Sequence, residues 1–108
     1  MIRVTITPRN GGKVFRLLSQ KEQDLRRENR GTLHRSGKRK AGEMKWVHSN
    51  YHGWIRIQDC LGGIAVALIQ SKAEGADNRL LSSFIGFVDR HFSEAVASVT
   101  IAYDSESE

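Results

Sequence analysis

Cysteine and proline each occur once in these 108 residues, as Cys60 and Pro8. A lone cysteine closes no intrachain disulfide. That excludes the disulfide-stapled class of small secreted domains and points to a reducing compartment, the cytoplasm. One proline and ten glycines exclude collagen-like, mucin-like and proline-rich chains. Long hydrophobic runs are also lacking. The longest stretch without a polar or charged side chain covers residues 60–69, far short of the roughly 20 residues that a membrane helix needs. Residues 1–5 hold no continuous apolar segment, so no signal peptide and no membrane partner are expected. Aromatic residues make up only 7%, so the placement of Trp46 and Trp54 carries more weight than usual.

What is present is an ordinary globular composition, 39% hydrophobic and 27% charged. The length suits one domain, expected over 1–103, with an acidic tail at 104–108. A chain of this size hides roughly two-thirds of its unfolded surface and needs no staples. The net charge is +5, unevenly spread. Residues 1–54 hold thirteen basic and four acidic side chains, and residues 55–108 hold four and eight. Such asymmetry points to a polyanionic partner or to a self-complementary surface.

Ile2, Val4 and Ile6 alternate with polar residues, the pattern of a half-buried strand ending at Pro8. After Asn10-Gly11-Gly12 a hairpin and a helix compete. Helix formers over 20–28 favour a helix across 14–28, stopped by Asn29-Arg30-Gly31. Residues 29–44 read as a basic loop, or as a hairpin of 32–36 with 43–49 whose tip is 37–42. Residues 45–48 and 54–58 read as strands. Residues 64–69 are continuously apolar and suit a central strand buried on both faces. Asp77 or Asn78 is the expected cap of a helix over 79–96, with an apolar stripe from Leu81 through Phe84, Val88 and Phe92 to Val96. Val99, Ile101 and Tyr103 alternate as a last strand. The order implies an α+β two-layer sandwich: a mostly antiparallel sheet of about five strands with the long C-terminal helix packed on it. The N-terminal helix either covers the other face or leaves it open. In the open case Trp46 or Trp54 would be exposed there and would mark a partner surface.

The strongest chemical signal is a basic segment beside aromatic residues. Arg26, Arg27, Arg30, Arg35, Lys38, Arg39, Lys40 and Lys45 are candidate phosphate contacts, because affinity for a polyanion grows with the number of phosphates neutralised. Trp46, Tyr51 and Trp54 are candidate platforms for unpaired bases. The function expected first is a small non-enzymatic nucleic-acid-binding module, with RNA or single-stranded DNA favoured. A protein-interaction or self-associating module stands beside it. An enzyme using Cys60 or the His48/His52 pair stands third. The histidine spacing fits a metal site only on a helix, whereas this segment reads as strand and turn. Neither a metal nor a cofactor is implied.

Overall fold

The computed structural model describes residues 1–103; the tail expected over 104–108 and the Arg39 side chain lie outside the described residues. Six strands form one antiparallel sheet. They are β1 (Ile2–Pro8), β2 (Leu33–Lys40), β3 (Glu43–His48), β4 (Trp54–Asp59), β5 (Ala65–Gln70) and β6 (Val96–Tyr103), in the spatial order β2-β3-β4-β5-β1-β6. Two helices, α1 (Val14–Arg27) and α2 (Ala76–Phe92), follow β1 and β5. The expected α+β sandwich is therefore present, with one strand more than expected. The extra strand is the hairpin reading of the basic segment.

Helix α1 buries Val14, Leu18, Glu22 and Leu25, a stripe that returns every three or four residues. Its end falls at the predicted stop. Asn29 adopts the left-handed conformation, its amide donates to the Arg26 carbonyl, and the Arg30 amide donates to the Leu25 carbonyl at 2.8 Å. Those two bonds satisfy carbonyls that the last turn would otherwise leave unpaired. Arg26 and Arg27 in that turn complement the helix dipole.

Helix α2 departs from the expected bounds. It starts at Ala76 behind a left-handed Gly75, and the Asp77 carboxylate accepts the Asn78 amide from inside the first turn. It stops at Phe92, where the Ala95 amide closes a turn onto the Phe92 carbonyl, so Val96 opens β6 instead of ending the helix. Leu80 and Phe87 are buried beside Leu81, Phe84 and Val88, a face wider than the sequence stripe. Phe87 meets the Trp46 ring at 5.2 Å and the Leu80 side chain lies against Gly53, so both are covered from the sheet side.

The buried residues form a single cluster. Ile2, Val4 and Ile6 of β1, Met44 and Trp46 of β3, Ile55 and Ile57 of β4, and Ala65, Ala67 and Ile69 of β5 point to the same side, and both helices lie there. Strand β5 is central, yet only one of its faces is covered. Ala65, Ala67 and Ile69 are buried while Val66, Leu68 and Gln70 are half-buried on the other side. Gly63 ties two turns together. Its φ is +78°, and a Cβ there would collide with the Gly12 carbonyl oxygen, so only glycine lets these backbones meet.

Trp46 is fully buried at the junction of sheet and helices, edge-on to Phe84 at 6.0 Å and to Phe87 at 5.2 Å. Its indole N–H has no acceptor, a cost of about 1–3 kcal/mol offset by ring burial. Trp46→Ala is expected to lose about 3–5 kcal/mol of stability by urea unfolding, and Trp46→Phe clearly less, because it keeps most of the ring volume and removes the unpaired donor. Equal losses for the two variants would contradict this packing account.

Candidate nucleic-acid interface

Among the described residues both helices lie on one side, and the other face of the sheet carries no layer. Its composition follows from the register. Lys45 of β3 lies opposite Arg56 of β4, Arg56 opposite Leu68 of β5, Leu68 opposite Arg3 of β1, and Arg3 opposite Ala102 of β6. Paired residues share a face, so this is one row running across five strands. Lys45, Arg56 and Arg3 in it are exposed. Adjacent strands lie about 4.8 Å apart, which puts the outer two cations about 14 Å from each other.

Trp54 stands on the same face, diagonal to Lys45, and is half-buried. The Lys45 ammonium lies 5.7 Å from its ring centroid. That cation–π contact holds the lysine at the ring without removing its charge. Glu43 is the acidic counterpart, with its carboxylate 3.4 Å from the Arg56 guanidinium. Val66 and Leu68 complete a face of mixed apolar and cationic character.

The remaining sequence candidates are spread over other parts of the molecule. Arg26, Arg27 and Arg30 each have a carboxylate nearby, Glu22 at 3.4 Å, Asp24 at 3.8 Å and Glu28 at 3.1 Å. They gather at the end of α1. Arg35 pairs across from Trp46 and so points to the helix side, where it shares a cleft with Phe15 and Ser19. Lys38, Arg39 and Lys40 occupy the outer arm of the β2–β3 hairpin, whose Lys38 and Lys40 side chains are exposed. The three aromatics also separate. Burial in the core removes Trp46 as a stacking surface. Tyr51 stacks on His48 at 4.3 Å, and the Arg79 guanidinium of α2 lies 5.9 Å from its ring, so it belongs to the helix side. Only Trp54 stands on the uncovered face.

Residue-by-residue reading missed two members of the row, Arg56 and Arg3. Their alternation with Ile55, Ile57, Ile2 and Val4 marked them as outward-facing. What placed them beside Lys45 is strand order, which a single sequence does not spell out. It also missed Glu22, which is 1% exposed on the α1 stripe. Its carboxylate sits between Arg26 at 3.4 Å and His34 Nδ1 at 3.3 Å, and these partners make its burial tolerable. The signal for it was a carboxylate four residues after Leu18 and four before Arg26.

Cys60 is exposed, and its Sγ lies 3.9 Å from the Gln58 carbonyl oxygen. His48 Nδ1 accepts the Asn50 amide at 2.9 Å. Among the described residues no three His, Cys, Asp or Glu side chains gather into a metal-binding group, and no helix is long and apolar enough to cross a membrane. No protein-family model matches the chain, and neither a curated protein nor a solved structure shows significant similarity to it.

Two histidines titrate away from their ordinary value. Burial lowers His48. Burial also lowers His91, with Lys21, Arg90 and Arg30 adding like-charge repulsion. The His91 ring packs edge-on against Phe87 at 4.8 Å. A histidine held below 6.5 in the folded state binds fewer protons there than in the unfolded chain. Stability therefore rises with pH across that window and falls as pH drops below 6.5. His91→Gln is expected to flatten the fall in urea midpoint between about pH 7.5 and about pH 5. An unchanged pH dependence in that variant would rule His91 out as a source.

Proposed function

We propose that this protein binds single-stranded nucleic acid, RNA or DNA, on the uncovered face of its sheet. The observation that carries the reading is the row of Lys45, Arg56 and Arg3 beside Trp54 on a face without a helical layer. The half-buried Trp54 indole offers the exposed part of its ring to an unpaired base, and stacking of that kind is worth about 1–3 kcal/mol per base. The three cations lie along one line, as phosphates of an extended strand do. Lys38 and Lys40 continue the positive surface onto the adjoining hairpin arm. The arginines at the end of α1 take a lesser part, because they stand at the helix end and outside this row.

Unpaired bases are favoured over a duplex because a stacking platform has nothing to grip when the bases are already stacked on one another. The apolar part of the face, Val66 and Leu68, supports the same preference. It can lie under the edges of bases that a duplex would keep inside.

The test is fluorescence anisotropy with labelled single-stranded RNA, single-stranded DNA and duplex DNA at about 50 and about 200 mM salt. Single strands are expected to bind more tightly, with affinity falling steeply as salt rises. Trp54→Ala should weaken binding about 10-fold, and Trp54→Phe should restore most of it. Lys45→Glu with Arg56→Glu should lower the salt slope by about one to two units, since each neutralised phosphate contributes about 0.7–0.9. Absence of binding at low salt would sink the assignment. Binding that ignores both the tryptophan and the paired charge reversal would also sink it.

A further inference from the structure

We propose that two copies of this chain pair through β6, edge to edge and antiparallel, to form one twelve-stranded sheet. The two edges of the sheet are built differently. Strand β2 carries Arg35, Lys38, Arg39 and Lys40 and loses its register with β3 after Ser36. Charge and irregularity of this sort are how an exposed edge is kept from pairing. Strand β6 lacks the charge, and its one register shift is confined to its first residues, at Ala97. Its eight residues, Val-Ala-Ser-Val-Thr-Ile-Ala-Tyr, include no charge and no proline, and its register with β1 is unbroken from Tyr103 back to Ser98. One side of its backbone pairs with β1, and among the described residues it has no second neighbour in the sheet order.

The side chains point the same way as the backbone. Val99, Ile101 and Tyr103 lie opposite Ile6, Val4 and Ile2, so they continue the core-facing rows of β1 by one strand. The β1 residues are at most 2% exposed, whereas Val99 is 37%, Ile101 38% and Tyr103 66% exposed. The core therefore runs out sideways into an apolar stripe that is left partly open. The groove between that stripe and α2 is lined by Ile85, Val88 and Val96 and holds about 240 Å³.

A second copy is the occupant that these features fit. An antiparallel pair centred on Ile101 sets that residue against its own equivalent and sets Val99 against the partner's Tyr103. Every apolar position of the stripe then meets an apolar position without further adjustment, which is the self-complementarity of a two-fold interface. The chain carries +5 overall, so two copies repel, and the uncharged strand is where they approach at least cost. Because β6 is consumed by the pairing and β2 is guarded, assembly closes at two copies. An interface of this extent buries on the order of 1,000 Å² in total, the lower end for specific association, so dissociation in the micromolar range is expected. The pairing does not depend on nucleic-acid binding.

Sedimentation equilibrium of the whole chain from about 1 to about 300 μM brackets that range. The weight-average mass is expected to climb from one chain toward two and to stop there. Ile101→Lys and, separately, Tyr103→Lys should each shift dissociation at least tenfold. Circular dichroism should stay native, because both side chains are already exposed. Lys38→Glu on the opposite edge should leave the dissociation constant unchanged. A mass of one chain at every concentration would overturn the proposal and leave β6 to a different partner. Association undiminished in both lysine variants would overturn it too, since the contact would then lie elsewhere.

Discussion

Burial on one side only is the constraint from which the rest of this structure follows. Six strands and two helices could be stacked as three layers, but here both helices share one face, and Trp46 fills the space where β3 meets α2. That arrangement demands a strict alternation along β1, β3, β4 and β5, with the inward positions apolar and the outward ones free to be polar. It also widens the apolar face of α2 to include Leu80 and Phe87, which lie against Gly53 and Trp46. Glu22 is tolerated in the same layer because Arg26 and His34 reach its carboxylate.

The uncovered face inherits its chemistry from that choice. Residues excluded from the core by alternation are brought together by strand pairing, so three cations well separated in sequence fall into one row. Arg3 and Arg56 are 53 positions apart in the chain, yet only β5 lies between their strands. Trp54 joins them because β4 begins with an outward position. The sheet margins differ for a similar reason. The β2–β3 hairpin extends the basic segment outward and guards its edge, while β6 is added beside β1 with α2 alongside its first residues and Ile101 and Tyr103 left exposed. Pairing of two copies through β6 would bring two basic faces into one continuous sheet.

Much of the fold was legible from local pattern. The period-two alternation of Ile2, Val4 and Ile6 became β1, and the Asn29-Arg30-Gly31 stop became a completed helix cap. Where local signals misled, tertiary context had outweighed them. Ala95 and Val96 continued the apolar spacing of α2, yet Val96 is needed in the sheet opposite Pro8. The apolar run at 64–69 looked doubly buried, and the half-exposed Val66 and Leu68 instead belong to the open face. The candidate site was legible as composition and not as geometry. Basic and aromatic residues adjacent in sequence were dispersed by the alternation itself, which sends Lys45 outward and Trp46 inward. Trp46 and Trp54 look equivalent in the sequence; one became core and the other surface.

The central proposal is that the uncovered face, with Trp54 at the start of β4, is where a nucleic acid would be held. The two tryptophans provide an internal control for it. Their indole N–H signals can be followed by two-dimensional proton–nitrogen NMR while a short single-stranded RNA is added to the labelled protein. The Trp54 signal is expected to shift progressively, together with backbone signals of Lys45, Arg56 and Arg3, while the Trp46 signal stays in place. Shifts confined to the helices, or no shift of the Trp54 indole at saturating RNA, would contradict the account.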